Sequence, residues 1–114
     1  MGCKSAIGIF VVLMCWASSA SAAGDPRCSA RVGFYQPPRG IISTPRMAAH
    51  IAEIFLTAIY GPDLIRRELP LKVSIDREVW HITGKDLGPN MVGGVAEIDL
   101  CQATGQVLRV VHGK

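Results

Sequence analysis

Apolar and polar positions change their spacing once along the chain, near Pro70. Before it the period is helical. Thr44-Pro45 reads as an N-cap followed by proline at the first helical position, and Met47, Ile51, Ile54, Phe55, Ala58 and Ile59 then recur three and four apart. Arg46, His50, Glu53 and Thr57 fall off that stripe, so the spacing predicts an amphipathic helix of about four turns with the stripe as its core face. Gly61-Pro62 ends it, and a short second helix over 62–68 is expected to tuck Leu64 and Ile65 inward. After Pro70 the period becomes two. Leu71, Val73 and Ile75 alternate with Lys72 and Ser74, Asp76-Arg77-Glu78 turns the chain, and Val79–Thr83 is β-branched and aromatic. A third strand is expected over 91–101, broken by Gly93-Gly94, with Ala96, Ile98 and Leu100 on one face and Glu97 and Asp99 on the other. Gly93-Gly94 itself reads as a β-bulge or a close approach of the helix to the sheet. A turn at Thr104-Gly105 and a last strand over 106–112 complete the pattern. The result is an α+β fold: one main helix packed on a curved antiparallel sheet of about four strands.

The N-terminal third is different. Lys4, the uncharged apolar run Ile7–Ala17 and the small residues Ala20-Ser21-Ala22 have the layout of a secretory signal peptide over residues 1–22, cut after Ala22 or one residue later. The run is short for a permanent membrane span, which needs ~20 residues. A lipid anchor on Cys15 meets a bulky Met14 where a smaller residue is expected, and a retained helical anchor is the other competing reading. Residues 23–43, with Gly24, Pro26, Pro37, Pro38 and Gly40, form an extended arm. In it Cys28, Ala30, Val32 and Phe34 make either a short edge strand or an irregular strap. Cys3 and Cys15 leave with the leader. Cys28 and Cys101 remain, and an even number of thiols in an exported chain predicts a disulfide.

Of 114 residues, 12 are Lys or Arg and 9 are Asp or Glu, and the formal net charge is +3. The charges are scattered, without the basic stripe that nucleic-acid binding requires. The chain is too short for two domains or for a doubly wound nucleotide-binding fold. No P-loop, dinucleotide fingerprint or nucleophile elbow occurs, so no cofactor is expected. His50, His81 and His112 lie on separate elements without the i, i+4 or alternate-strand spacing of a metal site. Glu97 and Asp99 share a strand face, with Asp76 and Glu78 on a turn nearby; paired carboxylates can hydrolyse, but facing water they are more commonly solvated. Trp80 reads as core. Tyr60 and the arm's Phe34 and Tyr35 are aromatic candidates for a partner-facing surface, and Arg66-Arg67 reads as a solvated corner.

Ala52-Glu53-Ile54, Ile59-Tyr60-Gly61, Val79–Gly84, Gly93–Ile98 and the terminal His112-Gly113-Lys114, in that order, resemble the NTF2-fold immunity proteins of bacterial polymorphic toxin systems. The similarity covers residues 44–114. It implies an NTF2/cystatin-like cone, a bent sheet wrapped round a helix, and a non-enzymatic role of binding and blocking a cognate toxin or envelope hydrolase. Combined with the leader, that role would be exercised in the periplasm, away from any cytoplasmic nuclease. Tyr60, His81, Glu97, Asp99 and His112 are the candidate partner-binding residues. Charged strand residues of this kind set on-rate and specificity against a basic toxin groove. The competing reading is a small periplasmic ligand-binding or hydrolase-type NTF2-like domain, which would need a pocket with converging polar groups.

Overall fold

The computed structural model describes residues 24–28, 35, 37–90 and 93–113. The leader with its cleavage point and Cys15, the strand sought through Ala30, Val32 and Phe34, and Met91 at the start of the third strand lie outside the described residues.

Helix α1 runs from Pro45 to Tyr60. The Thr44 hydroxyl accepts the Met47 N–H at 3.2 Å, satisfying one of the orphan donors of the first turn. Gly61, at φ 89°, closes the other end by donating its N–H to the Thr57 carbonyl at 2.9 Å. Helix α2, Pro62–Arg67, follows at once and buries Ile65. The chain passes a cis Leu69–Pro70 bond into a meander of β1 (Lys72–Asp76), β2 (Val79–Thr83), β3 (Ala96–Cys101) and β4 (Val107–His112). All neighbours are antiparallel, and the strand order is β1-β2-β3-β4. The third strand is thus shorter than its pattern suggested. Gly94 donates to the Gly113 carbonyl at 2.6 Å and Gly113 donates back to Val95 at 3.0 Å. A Cβ on Gly94 would collide with the Gly113 backbone, so the close approach joins two segments of the sheet rather than helix and sheet. The register shift falls further along, where Asp99 and Leu100 face Arg109 and Val107.

The β1–β2 turn consists of Arg77 and Glu78, both at positive φ (47° and 65°). Such a turn matches the twist of a two-residue hairpin but favours Asn-Gly. Backbone contacts hold it in place: the Arg77 carbonyl accepts the Asp25 N–H at 3.3 Å and the Glu78 carbonyl accepts the Gln102 N–H at 2.9 Å.

The core lies between α1 and the inner face of the sheet, where Trp80, Ile82, Ala96, Ile98 and Leu100 meet Ile42, Ala48, Ala52, Leu56 and Ile65. Trp80 is buried as expected, and its indole N–H reaches the Ile42 carbonyl at 2.9 Å. Burying each large aliphatic side chain here is worth ~2 kcal/mol. The arm therefore contributes Ile42 to the core instead of merely leading up to it.

The core face of α1 differs from the expected one. Ala48, Ala52 and Leu56 are the buried positions, whereas Met47, Ile54, Phe55, Ala58 and Ile59 are exposed and Ile51 is half-buried. The helix is apolar around much of its circumference, so periodicity defines more than one stripe. Packing selects the alanines, because small side chains let the helix axis approach the sheet closely enough to seat Trp80, Ile98 and Leu100 beneath it.

Candidate functional site

Strand pairing fixes which side chains share the outer face, the side away from α1. His81 lies opposite Ser74 on β1 and opposite Asp99 on β3, and Asp99 lies opposite Arg109 on β4. Directly paired residues of an antiparallel ladder project from the same face, ~5 Å apart. The sheet thus presents the row Ser74–His81–Asp99–Arg109. The next row is Lys72–Thr83–Glu97–Val111.

The two rows are tied together by charge. Asp99 receives His81 Nδ1 on one carboxylate oxygen at 2.8 Å and Arg109 Nε on the other at 2.9 Å. Arg109 extends a further N–H to Glu97 at 2.7 Å. Asp99 is buried beneath these partners while His81, Glu97 and Arg109 remain in contact with solvent. Burial alone would raise the Asp99 pKa. The hydrogen bonds and charges of Arg109 and His81 outweigh it and hold the carboxyl below its ordinary value. The same contacts raise Arg109. With Nδ1 engaged by a carboxylate, the other ring nitrogen of His81 remains available on the exposed side.

In the neighbouring row of the same face, Asp76–Val79–Cys101, the arm is pinned by the Cys28–Cys101 disulfide, whose Cα atoms are 5.4 Å apart across 73 positions of sequence. Asp25 accepts Arg27 Nη2 at 2.7 Å and the Arg27 backbone N–H at 2.9 Å, which holds its carboxyl at about 2. Beside the rows, an open cleft of about 350 Å³ is bounded by Lys72, Thr83, Asp86, Gly94 and Glu97. Neither His81 nor His112 lines it. Among the described residues no cluster of His, Cys, Asp and Glu is arranged to hold a metal ion, and no helix is long and apolar enough to cross a membrane.

The five candidate side chains therefore fall in two places. His81, Glu97 and Asp99 come together on the outer face. Tyr60 and His112 meet elsewhere, ring against ring at 5.3 Å in an edge-on arrangement at the end of α1. There His112 Nε2 lies 3.3 Å from Glu68 Oε1, and Glu68 Oε2 accepts the Ala96 N–H at 2.9 Å. His50 is exposed on α1 and joins neither group.

Sequence reasoning missed two residues. Arg109 had a signal: it is the lone charge inside an apolar strand, four positions after a turn that folds it back onto Glu97 and Asp99. Glu68 had none. A glutamate after Arg66-Arg67 and before a proline resembles any surface residue, yet it is 1% exposed.

A helix laid over one side of an antiparallel meander, with a polar, internally tied opposite face, defines a small α+β scaffold suited to presenting a surface. Residues 47–114 match the model of the NTF2 fold immunity proteins, and the chain belongs to that family. It is also similar to two proteins of Escherichia coli (strain K12). One is the uncharacterized protein YhhH, 28% identical over 76 residues, which are 67% of this chain and 60% of YhhH. The other is the uncharacterized protein YbbC, 29% identical over 76 residues, 67% of this chain and 62% of YbbC. The matched stretch spans about three-fifths of the length of each. No solved structure matches the chain. Family membership supports an immunity-type role.

Proposed function

We propose that this is a periplasmic immunity protein whose outer sheet face covers the active site or essential surface of a cognate toxin or envelope hydrolase. The observation that carries the proposal is the His81–Asp99–Arg109–Glu97 network, a set of charged groups already locked together on the outer sheet face, beside the arm that Cys28 ties to Cys101. Groups ordered in advance lose little side-chain entropy when a partner docks, which is where much of the cost of association lies. The apolar run and small-residue tripeptide of residues 1–22 support export. A Cys28–Cys101 bond fits an oxidising compartment. A catalytic or carrier reading finds less support. The cleft is of ligand size, but its carboxylates are Asp86 and Glu97, Glu97 is engaged by Arg109, and no nucleophile–base pair lines it.

The test is neutralisation. The full chain is co-expressed with the exported product of a neighbouring gene whose expression arrests growth. Growth is restored by the unaltered chain, lost when residues 1–22 are deleted, and lost or weakened at least tenfold in binding by Arg109→Ala, equivalent to about 1.4 kcal/mol. Full protection by a leaderless chain overturns the periplasmic assignment. Unimpaired binding by Arg109→Ala and His81→Ala overturns the assignment of the face.

A further inference from the structure

The exposed apolar side of α1 takes no part in the outer face. Met47 is 40% exposed, Ile54 69%, Phe55 40% and Ile59 53%. Met47, Ile51, Phe55 and Ile59 stand four residues apart and form one continuous ridge of the i±4 kind. At 3.6 residues per turn Arg46, His50 and Glu53 lie on the other side of the helix, so no charge of α1 interrupts this ridge.

We propose that this ridge is the interface of a homodimer, with α1 packing antiparallel against α1 of a second copy about a two-fold axis. A closed symmetric pair requires a patch that is complementary to itself, and this ridge satisfies the condition. Reversed and laid on itself, it sets Met47 against Ile59 of the second copy and Ile51 against Phe55, with the axis passing between Ile51 and Phe55. Ridges of this spacing interdigitate at about −50°. Glu53, the midpoint of the ridge in sequence, projects away from the contact, so the two-fold brings no like charges together. Apolar side chains of this size expose ~200 Å² when free. At the observed exposures Met47, Ile54, Phe55 and Ile59 offer roughly 400 Å² per copy and the half-buried Ile51 adds little, so the pair buries about 800 Å², short of the roughly 1,200 Å² of a stable interface and in the range of weak association. The dimer is accordingly weak, dissociating in the micromolar range, and its formation leaves the outer sheet faces of both copies open.

Sedimentation of the isolated protein, recovered from cells expressing the full chain, tests this without any toxin present. The unaltered protein passes from monomer to dimer as concentration rises from about 1 to 500 μM. Met47→Lys or Ile59→Glu, each at an exposed position, raises the dissociation constant at least tenfold. The double variant Met47→Lys/Ile59→Glu recovers at least tenfold over either single, because the two substituted side chains face each other across the axis. A monomer at every concentration, or single variants without effect on mass, overturns the proposal. So does a double variant no better than the worse single, which would show that a different register or surface forms the pair. Both single variants keep the unfolding midpoint of the unaltered protein at about 1 μM, where each is a monomer, because Met47 and Ile59 are exposed there.

Discussion

Glu68, polar and yet 1% exposed, allows a prediction about stability. Its carboxylate is buried at the junction of α2, the end of β2, the start of β3 and the end of β4, and one oxygen is the acceptor for the Ala96 N–H. The Glu68 carbonyl also accepts the Lys85 N–H at 2.7 Å, so this residue ties down the strand exit from both main chain and side chain. Gly84 provides the room, because a Cβ there would overlap the carboxylate. Glu68→Ala strands a buried N–H, worth about 1–3 kcal/mol, and empties the space of four heavy atoms, which adds about 1–2 kcal/mol of lost packing. We expect a loss of about 3 kcal/mol, against about 1 kcal/mol for Glu68→Gln, whose amide oxygen keeps the Ala96 bond. Gly84→Ala breaks the same arrangement by collision and costs about as much as Glu68→Ala. The double variant Glu68→Ala/Gly84→Ala then loses clearly less than the sum, because the first change removes the carboxylate that the second collides with and leaves only the tight contact to the residue 68 Cβ. Urea unfolding followed by circular dichroism gives all four values. Additive losses, or a Glu68→Ala protein within 0.5 kcal/mol of the unaltered one, refute the assignment of this carboxylate as the anchor of the strand ends.

Three further perturbations have definite signs. Cys28 is half-exposed while Cys101 is fully buried, so Cys28→Ser removes the cross-link without hollowing the core. For a loop of 73 positions the loss is about 4 kcal/mol on the loop-entropy model, and an unfolding midpoint insensitive to reductant would show that no bond forms. Replacing Arg77-Glu78 by Asn-Gly relieves two left-handed residues and raises stability by about 1 kcal/mol; a lower midpoint contradicts the turn geometry. Asp99 has a lowered pKa in the folded protein, so its contribution is complete above the unfolded carboxyl value of ~3.9 and disappears as pH falls through the lower folded one. Asp99→Asn is therefore less stable at neutral pH and has a flatter acid limb below about pH 4, and a parallel acid limb in the two proteins rules out that linkage.

The order and type of elements were legible because each carried its own punctuation: Thr44-Pro45 and Gly61-Pro62 around α1, and alternation through Val79–Thr83. What was lost depends on packing partners that spacing does not encode. In α1 two apolar stripes compete, and the larger side chains of Met47, Ile54 and Phe55 are the more conspicuous in sequence. The sheet nevertheless takes Ala48 and Ala52, since proximity outweighs side-chain size when Trp80 already fills the space between. On the outer face, Glu97 and Asp99 were visible as a pair by period two; Arg109 stood out as a lone charge in an apolar strand, but its partner did not, because the register shift opposite Asp99 and Leu100 decides which β4 side chain arrives there. Tyr60 and His112 stand near the family landmarks, and the fold places them against Glu68 rather than beside His81.

The division of charge on the outer face also constrains what kind of partner the proposed interface suits. Arg109 is shared between two carboxylates, and Asp99 between Arg109 and His81. The central charges are thus largely compensated within the chain, and little net field is left to draw a partner in from a distance. A docking toxin would meet fixed donors and acceptors, together with Ser74, Thr83 and Val111 in the same rows, rather than an attracting patch. If this face is the interface, association with the toxin should slow by less than threefold between 50 and 500 mM salt, because screening acts on unpaired exposed charges and barely on groups already in contact. Arg109→Ala should then act mainly by speeding dissociation. An association rate that falls tenfold or more over that salt range would mean that the partner is steered by charges elsewhere on the molecule, and the docking surface would have to be sought away from this network.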